Sequence, residues 1–76
     1  MDINEFIEHF AEQFEETDHA VFAANTNFRE LEEWSSLIAL NIIAMVDEEY
    51  DVTLKGADIE KSKTIEDLFN IVKSKK

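Results

Sequence analysis

Apolar side chains recur at helical spacing near the start of the chain, with acidic side chains between them. The apolar positions of this stretch are Ile3, Phe6, Ile7, Phe10 and Phe14. An i, i+3, i+4, i+7, i+11 pattern places them on one face of an α-helix, while the intervening glutamates face water. Asp2, with Glu5 three residues later, is a variant of the capping box that starts helices. The pattern therefore predicts a first amphipathic helix.

A second helical pattern runs from Ser36 to about Tyr50 and carries two apolar stripes instead of one. The first stripe repeats the spacing above through Ala39, Ile42, Ile43, Val46 and Tyr50. The second stripe, Leu37, Leu40 and Ala44, points to the opposite side because successive helical residues are about 100° apart. The flank between the two stripes carries Ile38 and Met45. A helix that is apolar on opposite faces is either wholly buried or exposed for a purpose.

The stretch between these helices, residues 17–35, predicts a long connection. Asn25, Thr26 and Asn27 favour turns. Its apolar side chains are too many for a free linker: Val21, Phe22, Phe28, Leu31 and Trp34. We expect them to hold the loop against the helices. If the loop also covers the second apolar stripe, that stripe belongs to the core; otherwise the stripe is exposed surface.

Two shorter patterns complete the chain. Residues 57–61 predict a short helix with Ile59 facing inward. The last helix starts at Thr64, which forms a capping-box pattern with Asp67. Its apolar positions are Ile65, Leu68, Phe69 and Val72. Lysines crowd its end, where they suit the negative end of the helix dipole.

The predicted fold is therefore all-α. It is a small four-helix bundle, with three main helices, one short helix and a long loop between helices one and two. Residues 1–76 form one domain in this interpretation. The predicted core contains Ile3, Phe6, Phe10, Phe14, Ile42, Val46, Ile65, Leu68 and Phe69.

Composition narrows the class of function. A chain of 76 residues has little room for a deep catalytic cleft. Its formal net charge of −11 repels nucleic acid and anionic membranes and favours docking to basic protein surfaces. No apolar run approaches the roughly 20 residues that span a bilayer. The start of the sequence is acidic and lacks the basic residues of a signal peptide, and the absence of cysteine fits a reducing compartment. We therefore expect a cytoplasmic protein. We also expect a monomer.

The usual signs of catalysis and of metal binding are weak. His9 and His19 are the only histidines, and neither has a nucleophile at the spacing of a catalytic motif. We therefore expect both histidines to be surface or boundary residues. The carboxylates of residues 47–51 lack the order of a calcium-binding loop. The sequence therefore predicts neither an enzyme nor a metal site.

Two adjacent serines stand at the start of the second helix. Only one of Ser35 and Ser36 can be its N-cap. The other then lies in the first turn, beside backbone N–H groups without an intrahelical acceptor. That position favours an attached phosphate, because the N-terminal end of a helix is positive.

The sequence around these serines resembles the acyl carrier protein family. The family pattern is Asp-Ser-Leu, then a helix, then an acidic and aromatic end. The matching residues here are Leu31-Glu32-Glu33-Trp34-Ser35-Ser36-Leu37 and Asp47-Glu48-Glu49-Tyr50. The register continues without gaps through Leu54, Ile59, Lys61 and Thr64-Ile65-Glu66-Asp67-Leu68. The resemblance covers about residues 28–72, and the first helix is compatible with it.

The resemblance implies a function and a site. Ser36 matches the serine that carries a covalent 4′-phosphopantetheine, whose thiol holds acyl, polyketide or aminoacyl groups as thioesters. The partner-facing positions of the family's second helix match Leu37, Leu40, Ala44, Asp47 and Glu48. The implied partners are a phosphopantetheinyl transferase and acyl-loading and acyl-processing enzymes with basic docking patches. The carrier itself makes and breaks no bonds.

The chain departs from the family pattern next to the site. Ser35 stands where the family has aspartate, and the glycine common a few residues earlier is absent. Trp34 gives a Trp-x-Ser-Leu form that is similar to stand-alone carriers of specialised pathways. The missing aspartate supports a second hypothesis, an unmodified acidic helical adaptor that keeps the carrier fold and binds a basic protein partner.

Overall fold

A computed structural model describes all residues from Met1 to Lys76 and contains helices but no strands. The helices are α1 (Ile3–Ala11), α2 (Ser36–Tyr50), α3 (Gly56–Glu60) and α4 (Ile65–Lys75). Two single-turn 3₁₀ helices, His19–Val21 and Phe28–Glu30, lie in the connection between α1 and α2. The prediction of an all-α bundle with three main helices, one short helix and a long loop is confirmed. No helix is long and apolar enough to cross a membrane.

Helix α1 begins at its predicted N-cap, Asp2, but the predicted capping box with Glu5 does not form, since the Asp2 side chain accepts a hydrogen bond from the N–H of Asn4 instead, at 2.9 Å. The helix also ends earlier than its apolar pattern, and its last residue is Ala11. Phe14 still reaches the core, because the N–H groups of Gln13 and Phe14 bond to carbonyls three residues earlier and tighten the chain.

The predicted core is confirmed except at the first residue of α1. Ile3 is only partly buried and packs against the edge of the core, as Ile7 does. The loop residues beside these isoleucines, Ala20, Ala23 and Ala24, have side chains too small to cover them. The prediction that Val21 holds the loop down is wrong, because its side chain is exposed.

Aromatic side chains attach the long loop to the helices. Phe10 of α1 lies with its ring centroid 6.2 Å from that of Phe22 and 5.3 Å from that of Phe28, both in the loop. Phe28 in turn contacts Trp34, with ring centroids 4.8 Å apart. Aromatic pairs at such distances add to the free energy of area burial. The predicted anchoring of the loop is therefore confirmed for Phe22 and Phe28, with Leu31 and Trp34 partly buried.

The loop also supports the start of α4. The carbonyl oxygens of Thr26 and Ala24 accept hydrogen bonds from the N–H groups of Ile65 and Glu66, at 3.2 and 2.9 Å. These N–H groups belong to the first turn of α4, where no intrahelical acceptor exists. The predicted capping box of Thr64 is confirmed as well. These hydrogen bonds hold residues 24–26 of the loop against the start of α4. The loop then continues to the start of α2.

Candidate functional site

The structure distinguishes the two serines at the start of α2. Ser35 has an extended backbone, and its Oγ accepts a hydrogen bond from the N–H of Ile38 at 3.3 Å. Ser35 is therefore the N-cap. Ser36 is the first helical residue, its side chain is exposed, and its hydroxyl makes no hydrogen bond within the protein. Of the two hydroxyls, only that of Ser36 makes no hydrogen bond within the protein.

The backbone around Ser36 suits a negatively charged substituent. The N–H groups of Ser36 and Leu37 have no acceptor within the protein, since they lie in the first turn of α2. The dipole of a helix as long as α2 adds partial positive charge at this end. A phosphate ester on the Ser36 oxygen would lie beside these donors. The residues present therefore fit the phosphate of the 4′-phosphopantetheine that the sequence implied.

A groove of about 420 Å³ opens beside Ser36, between α2 and α3. Its α2 side carries Ala39, Leu40 and Ile43, and its α3 side carries Ile59. Arg29, the only arginine of the chain, bridges the loop to α3, because its Nη1 donates a hydrogen bond to the carbonyl of Glu60 at 2.9 Å. The groove therefore combines apolar side chains of α2 and α3 with polar residues, among them the exposed Ser36.

The second apolar stripe of α2 lies on the surface. Leu37 is 66% exposed and Leu40 is 61% exposed, although both are large apolar side chains. Ala44, Asp47 and Glu48 continue the same exposed face towards the end of the helix. The alternative in which the loop covers this stripe is wrong, because the loop packs against α1 and the start of α4 instead. The structure brings the predicted partner-facing residues together on one free surface.

The carboxylate of Glu33 forms a cluster of hydrogen bonds that sequence patterns missed. Its Oε1 accepts from the N–H groups of Glu16 and Thr17 at 3.1 and 2.9 Å, and from Thr17 Oγ1 at 2.7 Å. Its Oε2 accepts from the N–H of Glu15 at 2.7 Å. The hydroxyl of Thr17, with the three backbone N–H groups, lowers the pKa of Glu33 because it stabilises the charged form. No periodicity links residues so far apart in sequence, so only a structure could show this contact.

The remaining titratable groups of interest lie at the other end of α2. His9 of α1 stands among carboxylates, with its nitrogens 3.6 Å from Glu5, 3.3 Å from Glu12 and 3.8 Å from Glu49. The adjacent Tyr50 hydroxyl is buried without a hydrogen-bond partner. Burial, with nearby negative charge, raises the pKa of Tyr50 to about 12. No group of three or more histidine, cysteine, aspartate or glutamate side chains is arranged to hold a metal ion.

These features agree with the comparison of the chain with protein families. Residues 4–72 match the phosphopantetheine attachment site family, and the chain belongs to that family. Members carry a covalently attached 4′-phosphopantetheine, so the cofactor implied by the sequence is the cofactor of the family. The match supports a carrier role based on phosphopantetheine attachment. No curated protein and no solved structure matches the chain.

Proposed function

We propose that this chain carries acyl, polyketide or aminoacyl intermediates as thioesters on a 4′-phosphopantetheine arm attached to Ser36. The observation that carries the proposal is the difference between the two serines. Ser35 uses its hydroxyl as the helix cap, whereas Ser36 has an exposed, unbonded hydroxyl at the positive end of α2. Membership of the phosphopantetheine attachment site family supplies the chemistry of the group.

In this proposal the protein supplies an attachment point and its surroundings. The Ser36 oxygen forms the phosphodiester, and the free N–H groups of Ser36 and Leu37 stabilise its negative charge. The bound group supplies a thiol at the end of a flexible arm. Domains of this kind are generally non-catalytic, and we assign no catalytic residue to this chain.

The exposed face of α2 is the proposed docking surface for partner enzymes. Leu37, Leu40 and Ala44 offer apolar contact, and Asp47 and Glu48 add negative charge beside it. A net charge of −11 attracts partners with basic patches and speeds their encounter. The proposed partners are the phosphopantetheinyl transferase and enzymes that load or process the acyl group. The cytoplasmic location and monomeric state expected from the sequence stay predictions.

One observation favours a second candidate, an unmodified acidic adaptor that keeps the carrier fold. Ser35 replaces the aspartate that the family has before its modified serine. The structure shows that Ser35 keeps the capping role, which aspartate also performs well, so the replacement does not disturb the start of α2. What the replacement removes is one negative charge beside Ser36.

Intact-mass measurement after incubation with a phosphopantetheinyl transferase and coenzyme A separates the two candidates. The carrier gains the mass of one phosphopantetheinyl group, and Ser36→Ala gains none. Ser35→Asn is the matched control, because asparagine keeps the helix cap but has no hydroxyl. This control should gain the group as the natural chain does. An unmodified natural chain, or a modified Ser36→Ala chain, would contradict the proposed site.

A further inference from the structure

Glu33 ties the two ends of the long loop together. Its carboxylate bonds to three consecutive backbone N–H groups and one hydroxyl in residues 15–17, just after α1, with distances of 2.7 to 3.1 Å. Hydrogen bonds that involve a charged group are shorter and stronger than neutral ones. Glu33 itself lies three residues before Ser36. One carboxylate therefore joins the segment that follows α1 to the segment that precedes α2.

The residue after Glu33 is fixed from a second direction. Trp34 stacks on Phe14, with ring centroids 6.4 Å apart and an interplanar angle of 26°, and it packs against Phe28. The next residue, Ser35, is fixed by its capping bond. Every residue from Glu33 to Ser35 is thus held by a contact outside its own backbone. These contacts fix the segment that leads into Ser36.

The neighbouring glutamate shows that charge alone does not explain the contact. Glu32 is exposed and makes no hydrogen bond, although it carries the same charge one residue earlier. Glu33 also cannot serve the start of α2 as a cap, because its oxygens are occupied by residues 15–17. Its structural effect is confined to the geometry of the loop and of the segment that precedes Ser36.

We infer that Glu33 is a positioning residue for the modification of Ser36. It holds the segment Trp34–Ser35–Ser36 in the conformation that the transferase binds, and this inference rests on the proposed function. When the carboxylate is removed, the segment samples other conformations, and the binding-competent fraction falls. A smaller competent fraction weakens apparent binding in proportion, while the reaction rate of the bound complex stays the same.

Transferase kinetics on Glu33→Ala test the inference, with Glu32→Ala as the matched control. We expect Glu33→Ala to raise KM for the carrier about tenfold with kcat within about twofold. Glu32→Ala should keep both constants within about twofold, because it loses the same charge without losing a contact. Circular dichroism checks that each variant is folded. Thr17→Val removes only one of the four bonds and should give a smaller rise in KM, which provides a second variant if Glu33→Ala does not fold.

Fluorescence of the single tryptophan gives a readout that does not depend on modification. In Glu33→Ala, emission of Trp34 should shift to longer wavelength and iodide should quench it more strongly, whereas Glu32→Ala should leave both unchanged. Unchanged kinetics in a Glu33→Ala chain whose Trp34 emission has shifted would overturn the inference. An equal rise in KM for Glu32→Ala would also overturn it. If the natural chain takes no arm at all, the proposed function fails, and the fluorescence still reports whether Glu33 orders the segment.

Discussion

The two apolar stripes of α2 contain similar side chains but have opposite environments. On the inner stripe, Ile42 and Val46 are fully buried in a core that also contains side chains of α1, α4 and the loop. On the outer stripe, Leu37 and Leu40 remain more than half exposed. Hydrophobicity alone does not distinguish the stripes. Whether a stripe is buried depends on whether other elements of the chain pack against it. No helix or loop segment of the chain covers the outer stripe, and in the proposed function this stripe is the surface that a partner buries.

The largest expected effect is a loss of stability from the inner stripe. Ile42→Ala should lower the free energy of unfolding by about 2–5 kcal/mol, because it removes a fully buried side chain and leaves a cavity. Leu40→Ala, on the same helix, should change it by less than about 0.5 kcal/mol. Urea denaturation followed by circular dichroism measures both. Equal losses for the two variants would show that Leu40 belongs to the core and that the two stripes do not differ.

Much of the fold follows from local signals in the sequence. The bounds of α2, Ser36 and Tyr50, are those that its periodicity predicted. The capping box of Thr64 and Asp67 is present in both directions, with the Asp67 N–H on Thr64 Oγ1 and the Thr64 N–H on Asp67 Oδ2. Helix periodicity and capping involve residues three or four apart, so the sequence alone shows them.

The structure differs from the sequence-based predictions where parts of the chain that are far apart in sequence come into contact. Ile38 and Met45 are buried although they flank the inner stripe, so the core extends further around α2 than its periodicity predicted. Ile3 is less buried than predicted because small loop residues face it. The sequence pattern places Glu33 in a motif and predicts no contact for it, whereas its carboxylate bonds to residues 15–17. Such contacts depend on tertiary geometry and leave no periodic pattern.

The next effect concerns binding by the outer stripe. Leu40→Ala should weaken transferase binding about tenfold, because a buried leucine side chain contributes about 1.5–3 kcal/mol and part of that is lost. The loss should persist at high salt, since apolar contact is not screened. Surface plasmon resonance at low and high salt measures it.

Val21→Ala is the control for Leu40→Ala, because Val21 is also an exposed apolar side chain but lies in the loop. It should leave transferase binding unchanged. A similar loss of affinity in both variants would indicate that binding responds to general surface hydrophobicity, and the outer stripe would then have no special role.

A smaller effect is expected at the end of the inner stripe, where one buried polar atom has no hydrogen-bond partner. The Tyr50 side chain is buried, but its hydroxyl has no hydrogen-bond partner. Tyr50→Phe should raise the free energy of unfolding by about 1 kcal/mol, because it removes an unsatisfied polar group and keeps the ring. Thermal unfolding near neutral pH measures the change. A clear loss of stability would mean that the hydroxyl makes a bond.

Alkaline pH sharpens this test. Burial raises the pKa of Tyr50 to about 12, above the ordinary tyrosine value of 10.0 that applies to the unfolded chain. A group whose pKa is raised by folding contributes stability below its unfolded pKa, and this contribution is lost as the pH rises towards the folded pKa. Stability of the natural chain should therefore fall between about pH 10 and pH 12 more steeply than that of Tyr50→Phe.

The smallest effect comes from the charges beside the outer stripe. Glu48→Gln removes one exposed negative charge from the end of α2 and should leave stability within about 0.5 kcal/mol. It should slow association with the transferase by about twofold at low salt, with little change in the dissociation rate. Charges at the edge of an interface act mainly on the rate at which the partners meet. The difference should disappear at high salt, where screening shortens the range of the field. Stopped-flow association at two salt concentrations measures it, with Glu8→Gln on α1 as the control of equal charge. If Glu8→Gln slows association as much as Glu48→Gln, the net charge steers the partner, and the acidic end of α2 has no local role in docking.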